Sequence, residues 1–244
     1  SRKAFELGIN TASDDGTLAG KLNYYSTTWS DRIQTRYIQN VDGDDDIVYL
    51  TGMNQQHSGI ELELAAQVHP MFRMDFGMGF GNWRFTDDAN GTYRDDEEEV
   101  SYSYSLKDLK VGDMPQTNLI LGGTITPVEG AKIQLLYRHY MSNYADWSPD
   151  AREVDEDGAD RAQVWKTPSY GKLDIHASYK LPEIAGLDLT LNAHLFNALD
   201  EVYVQDATDN SKYNGYGDKL HLAHNAEVFL GTPRSFNLGL SVNF

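Results

Sequence analysis

Apolar and polar side chains alternate one for one through most of this chain, and that pattern leaves few folds open to it. Nearest the C-terminus, Phe236, Leu238, Leu240, Val242 and Phe244 share one parity, while Ser235, Asn237, Gly239, Ser241 and Asn243 hold the other. Successive side chains of a β-strand point to opposite faces, so a period of two marks a strand with one apolar and one polar face. The same rhythm sets Leu187, Leu189, Leu191, Ala193 and Leu195 against Asp188, Thr190, Asn192 and His194. It sets Leu173, Ile175, Ala177, Tyr179 and Leu181 against Lys172, Asp174, His176, Ser178 and Lys180. Further back, Ile60, Leu62 and Leu64 oppose Glu61 and Glu63, Phe72, Met74 and Phe76 oppose Arg73 and Asp75, and Phe5, Leu7 and Ile9 oppose Glu6, Gly8 and Asn10. No segment shows a comparable 3.6-residue period, so the fold class is all-β.

The connections are as informative as the strands. Short turns at Asp14-Asp15-Gly16, His69-Pro70, Pro127-Val128-Glu129-Gly130 and Pro182-Glu183-Ile184-Ala185-Gly186 separate pairs of strands. Between the pairs lie long polar segments at about 30–46, 86–115, 144–168 and 199–224. Short turns on one rim and long loops on the other are the pattern of an antiparallel transmembrane β-barrel. The pattern predicts nine strands, at about 2–13, 17–29, 46–68, 71–85, 116–126, 131–143, 169–181, 187–198 and 230–244. Bacterial single-chain barrels have even strand numbers, and an open strand edge in a bilayer leaves costly unpaired backbone groups. An odd count, in a chain that starts at Ser1 without Met or a leader, predicts the C-terminal portion of a larger barrel.

Composition removes other classes. The mean hydropathy is -0.53, and no run approaches the ~18–20 apolar residues of a membrane helix. A barrel wall escapes that test, because only every second residue of its strands faces lipid. The 37 acidic against 20 basic residues give a net charge of -17, which argues against a nucleic-acid partner. With no cysteine, disulfides and thiolate metal sites are excluded.

Candidate site residues follow from this layout. On the polar parity, Glu61, Glu63, Arg73, Asp75, Lys172, Asp174, His176, Asn192 and His194 are predicted to face the lumen, where hydration of the wall competes with contact to a ligand. Acidic runs at Asp42-Gly43-Asp44-Asp45-Asp46, Asp95-Asp96-Glu97-Glu98-Glu99 and Asp155-Glu156-Asp157, with Asp160, lie in the long loops. Clustered carboxylates suit loop-bound calcium, but the 42–46 run lacks EF-hand spacing, so a solvated acidic surface is the favoured reading. Among loop aromatics, Tyr102, Tyr104 and Trp147 are candidates to stack on a ligand, whereas Trp83 and Tyr203, near strand ends, read as girdle or rim packing. His221 and His224, with Asp218, are a weak candidate metal set. No Gly-x-Ser-x-Gly elbow occurs, and no catalytic constellation is identified; the chain is not expected to be an enzyme.

Two C-terminal motifs carry a family resemblance. Asn192-Ala193-His194-Leu195-Phe196-Asn197-Ala198-Leu199-Asp200-Glu201-Val202-Tyr203 resembles the penultimate-strand signature of TonB-dependent outer-membrane receptors. Gly231-Thr232-Pro233-Arg234-Ser235-Phe236, with the alternation to Phe244, resembles their last strand. Tyr24 to Arg32, Gly59 to Glu63 and Lys166 to Tyr170 resemble earlier strand exits and returns, and Val111 to Thr117 resembles receptors from Bacteroidetes. The resemblance implies a 22-stranded barrel in the Gram-negative outer membrane, with a plug domain and earlier strands preceding these nine. It implies import of an iron chelate, cobalamin, an oligosaccharide or a peptide, energised by TonB acting on the plug. Phe236, Leu238, Leu240, Val242 and Phe244 would then be read by the barrel-assembly machinery. Lipopolysaccharide and a surface lipoprotein lid are further implied partners. A passive porin, a small standalone barrel and a barrel hydrolase remain as alternatives.

Overall fold

In a computed structural model of the chain, all residues are described except 40–44, 96–97, 155, 157, 183–185, 212–219 and 244. Parts of all three acidic runs, together with Tyr213, Tyr216, Asp218 and Phe244, therefore lie outside the described residues, as does most of the 182–186 turn.

In chain order the strands are β1 (Arg2–Ala12), β2 (Leu18–Trp29), β3 (Gln34–Gln39), β4 (Asp45–Thr51), β5 (Gln55–His69), β6 (Phe72–Phe85), β7 (Ala89–Asp95) and β8 (Glu98–Tyr104). They continue as β9 (Thr117–Ile125), β10 (Ala131–Met141), β11 (Tyr170–Lys180), β12 (Asp188–Phe196), β13 (Val204–Thr208), β14 (Glu227–Leu230) and β15 (Ser235–Asn243). Nine of them build one antiparallel sheet in the order β1-β2-β5-β6-β9-β10-β11-β12-β15. These are the nine strands the alternation predicts. Among the described residues β1 pairs only with β2 and β15 only with β12, so the sheet has two open edges.

Register explains why the alternation is so strict. Residues directly opposite on neighbouring strands share a face, and the pairings carry one apolar face unbroken from edge to edge. One row of it runs Leu18, Ala66, Met74, Gly123, Leu135, Ile175, Leu195, Phe236. Much of this face is open, and toward the two edges it is widely exposed: Leu7 is 65 % and Leu238 74 % exposed. A leucine left in water forgoes about 1.5–3 kcal/mol relative to burial, so a face of this extent is built for an apolar medium. A one-residue slip in any pairing would turn that strand's apolar set to the polar side.

The boundaries depart from expectation where strands meet the long-loop rim. The predicted 46–68 strand is two elements. Gly52, at φ +74°, breaks the chain, and Leu50 and Met53 turn away into a buried cluster. Likewise Leu230 belongs to β14, and Gly231 to Arg234 separate it from β15.

The long connections are also not simply polar. β3, β4, β7 and β8 form a second, four-stranded sheet, and β13 pairs with β14. A hydrophobic core of Leu50, Met53, Phe85, Ala89, Tyr104, Leu106, Leu109, Trp147 and Val164 fills the space between three of the loops. The largest fully buried side chains of the described chain all lie in these connections. The fourth loop joins through Asp146, whose N–H donates to Ala207 and whose carbonyl accepts from Asp209, each at 2.8 Å. The wall has no core of its own; the core sits in the outer loops.

Candidate functional site

The polar face of the sheet gathers all nine predicted lumen residues. Rows such as Asn10, Lys21, Glu63, Gly77, Ile120, Arg138, Lys172 run across it. Each predicted residue meets a partner there. Asn23 donates to Glu61 at 3.4 Å, Lys21 pairs with Glu63 at 3.6 Å, and Arg73 with Asp75 at 2.7 Å. Arg138 pairs closely with Asp174, Asn192 donates to Ser241 at 3.2 Å, and His176 meets His194 at 2.9 Å. Lys172 reaches the Tyr203 hydroxyl at 3.1 Å. This is the ladder a hydrated wall needs.

Where this face approaches the long-loop rim, charge gives way to aromatic rings. Trp29, His57 and Trp83 sit on adjacent strands and stack face to face, with centroids 5.8 Å and 5.4 Å apart. The Trp83 indole N–H donates to the Tyr25 hydroxyl at 2.8 Å, fixing the ring. Gly59 and Gly81 make room for this group; an added Cβ at Gly59 would lie 2.6 Å from the Tyr25 oxygen. Two guanidinium groups cover Trp29, Arg2 at 5.7 Å and Arg32 at 4.8 Å from its centroid. The result is a half-buried aromatic shelf edged with positive charge. Trp83 is thus on the polar face, where a lipid-girdle role is closed to it. Trp29, His57 and Tyr25 are functional candidates that sequence reasoning missed. Their signal was parity: Trp29 falls opposite to the apolar Leu22 and Tyr24.

A second group holds the two C-terminal motifs together. Asn197, at φ +48°, turns the chain out of the wall. Its amide donates to Glu201 at 2.9 Å and Thr232 at 3.3 Å, and its N–H donates to the Asp174 carboxylate at 2.9 Å. Tyr203 is buried against Tyr170 with centroids 4.3 Å apart, and Lys172 lies over its ring. Gly231 is required there, because a Cβ would fall 1.9 Å from the Tyr203 ring. Arg234 closes the unit on Asp200, its N–H donating at 3.1 Å and its guanidinium pairing at 3.5 Å. Beside this corner, Lys172, Asp174, Asn197 and Tyr203 help line a cavity of about 270 Å³. Tyr203 therefore does pack at the rim.

Above the wall, the loops are pinned by a buried ionic cluster. Arg152 and Asp209 are both fully buried and lie 3.5 Å apart. Arg152 also donates to the Ala162 carbonyl at 2.7 Å and pairs with Asp160 at 3.6 Å. His221 bridges the two acids, with Nδ1 2.5 Å from Asp209 and Nε2 2.9 Å from Asp160. Burial, the largest single influence, pushes the imidazole pKa down. The hydrogen bonds to Asp209 and Asp160 together outweigh it, and the net shift is upward. Elsewhere Asp88 takes a two-pronged bond from Arg161, at 2.6 and 2.8 Å, and accepts from the N–H groups of Leu106 and Lys107. The guanidinium and those N–H groups, acting against partial burial, hold its carboxyl at about 2.

Two site expectations need correction. Tyr104 and Trp147 are 1 % exposed in the loop core and present no open ring for stacking, whereas Tyr102 is partly buried and packs against that core. Of the metal candidates, Asp218 lies outside the described residues, His221 has both ring nitrogens against carboxylates, and His224 is on an exposed 3₁₀ turn. Among the described residues no group of three or more His, Asp or Glu side chains is arranged to hold a metal. Asp160 is not a solvated loop acid but a member of the ionic cluster.

An antiparallel wall, apolar on one face and polar on the other, with short turns at one rim and folded loops at the other, defines an outer-membrane-type β-barrel protein. Its sequence matches the TonB dependent receptor-like β-barrel family over residues 2–198. The chain belongs to that family. Among curated proteins none matches it in sequence. Solved structures with the same fold include the copper transporter OprC, at 16 % identity and TM-score 0.62 over 98 % of this chain and 30 % of that one. The siderophore receptor PiuA from Acinetobacter baumannii is 17 % identical with TM-score 0.58, covering 100 % of this chain and 28 % of that one. BauA, the ferric preacinetobactin receptor of the same organism, is 17 % identical with TM-score 0.57, covering 100 % and 29 %. The chain thus spans less than a third of the length of each of these structures.

Proposed function

We propose that these nine strands are the C-terminal wall of an outer-membrane active-transport receptor that imports an anionic, aromatic metal chelate with energy delivered by TonB. The observation that carries the ligand class is the shelf of Trp29, His57 and Trp83 edged by Arg2 and Arg32. Aromatic rings pack edge-to-face along the row of ring edges such a stack presents, and guanidinium groups attract carboxylate or catecholate oxygens. The fold relatives whose names include ferric preacinetobactin and siderophores support the same class.

Two open sheet edges, in a wall whose apolar face needs a membrane, support further strands and a plug as the rest of the receptor. In that assembly TonB acts through the plug, and the exposed apolar row of β15 suits recognition by the barrel-assembly machinery. The net negative charge suits loops that meet divalent cations and lipopolysaccharide.

The test is a fluorescence titration of the intact, detergent-purified protein with a ferric tris-catecholate. Quenching of tryptophan emission is expected, and Trp83→Ala should weaken binding about tenfold, the loss of one aromatic contact of about 1.4 kcal/mol. Binding unchanged in Trp29→Ala and Trp83→Ala would remove the shelf from the ligand site. Uptake that persists in cells lacking TonB would favour a passive porin instead.

A further inference from the structure

One pair of side chains on the polar face has no role in that reading. His176 on β11 and His194 on β12 stand directly opposite each other, and the two Nδ1 atoms are 2.9 Å apart. Among the described residues each ring's only hydrogen-bond partner is the other. Both rings are half-buried, and Phe196 packs on both, edge-on to His176 at 5.6 Å and stacked on His194 at 6.0 Å. That packing fixes the direction in which the two nitrogens point.

We propose that His176 and His194 form a divalent transition-metal site on the lumen wall, suited to Cu²⁺. Imidazole binds such ions at ~2.0–2.1 Å. Two nitrogens at right angles about one ion are then about 2.9 Å apart, whereas a tetrahedral angle needs about 3.3 Å. A hydrogen bond sets the observed spacing, and because it is close to the right-angle value the two nitrogens reach one tetragonal Cu²⁺, an ion of nitrogen and oxygen ligands, with little movement. The register places two amides in the same row. Gln134 is opposite His176 and Asn237 is opposite His194, so the row across four strands reads amide, imidazole, imidazole, amide. With both rings neutral, one Nδ1–H donates to the other Nδ1. On metal binding that proton moves to Nε2 through solvent, leaving two lone pairs for the ion and no net proton released.

The test is electron paramagnetic resonance of the intact protein in detergent, titrated with CuCl₂ alone. One equivalent of Cu²⁺ coordinated by two imidazoles is expected. His176→Gln and His194→Gln should each lower affinity at least tenfold and leave one coordinated imidazole. His139→Gln, on the apolar face, should change neither. Heat-modifiable gel migration reports whether each variant is folded. The count of imidazoles in the unmodified protein needs no variant, so a folding failure leaves the test intact. Fewer than two coordinated imidazoles, no binding at about 100 µM Cu²⁺, or wild-type spectra in folded His176→Gln and His194→Gln would overturn the proposal.

Discussion

Replacing Arg152 with methionine should unfasten the outer loops while leaving the wall intact. The guanidinium is fully buried, bonds the Ala162 carbonyl, and faces Asp160 and the fully buried Asp209. Methionine fills much of the volume but leaves the Asp209 carboxylate, among the described residues, with His221 and the Trp165 N–H as its polar neighbours. Removing one partner of a buried ion pair costs about 3–5 kcal/mol. Because His221 stays, the low end applies, about 3 kcal/mol. That corresponds to a roughly hundredfold larger population of the opened loop unit. Amide hydrogen exchange reads it directly, since Ser105 donates its N–H to the Arg152 carbonyl and Asp209 donates to Asp146. Exchange should rise at both sites and stay unchanged in β10 and β11. Arg152→Met with Asp209→Asn should recover most of the loss, because an uncharged pair has no unmet charge to bury. If the single variant protects these amides as well as wild type, or the double variant opens further, the cluster is not what pins the loops.

The same cluster gives a pH dependence with a definite sign. The His221 pKa is raised above 6.5, so its contribution is complete below 6.5 and is lost as pH rises through the folded value. For Asp160, burial pushes upward, but the bonds from His221 and Ala162 and the Arg152 charge prevail and lower its pKa below 3.8. Its contribution is complete above 3.8 and is lost as pH falls through the folded value. Loop protection should therefore be greatest between these limits and decline above pH 6.5, a decline His221→Gln should abolish.

Three further outcomes are expected. Asp88→Asn should cost about 1 kcal/mol or less, since Asp88 and Arg161 are both more than a third exposed and water screens them; with a folded pKa of about 2, the wild-type contribution is present above 3.8 and fades toward pH 2, followed by exchange at Leu106 and Lys107. Leu64→Arg, on the apolar face, should cost about 2–4 kcal/mol in bilayer unfolding titrations if it lies near mid-membrane, against less than about 1 kcal/mol for Glu61→Gln on the other face; equal costs would refute the assignment of faces. Gly231→Ala should destabilise the C-terminal corner by about 1–3 kcal/mol through its clash with Tyr203, visible as lost near-ultraviolet dichroism of the stacked tyrosines.

The wall was legible because its rule is local. A strand that separates lipid from water must alternate, and the parity of Leu64 against Glu63 or Leu195 against His194 states the face of each residue without any partner being known. Parity also carried more than was read from it, since it already put Trp29 and Trp83 on the side of Glu61. What it could not supply was the stacking, which depends on register across three strands. The two C-terminal motifs were visible as strings, but not that Gly231 exists to admit Tyr203, or that Arg234 closes on Asp200.

The loops follow no such rule. Leu106, Leu109, Trp147 and Val164 are buried among residues from three connections, so no period marks them and each stretch reads as polar. The charged residues mislead in the same way. Asp160 belongs to an acidic run that looks solvated, and its partners Arg152, Asp209 and His221 come from two loops and up to 61 residues away. A loop core has a physical consequence for capture at the rim. Floppy loops would lose conformational entropy on closing over a ligand, whereas loops already packed on Trp147 and pinned by Arg152 have met that cost in folding. Under the proposed function, loops held in this way would border the Trp29, His57 and Trp83 shelf with fixed walls, and selectivity at the rim would rest on shape set before the ligand arrives. Opening the ionic cluster with Arg152→Met should then weaken chelate binding without touching a single ring of the shelf.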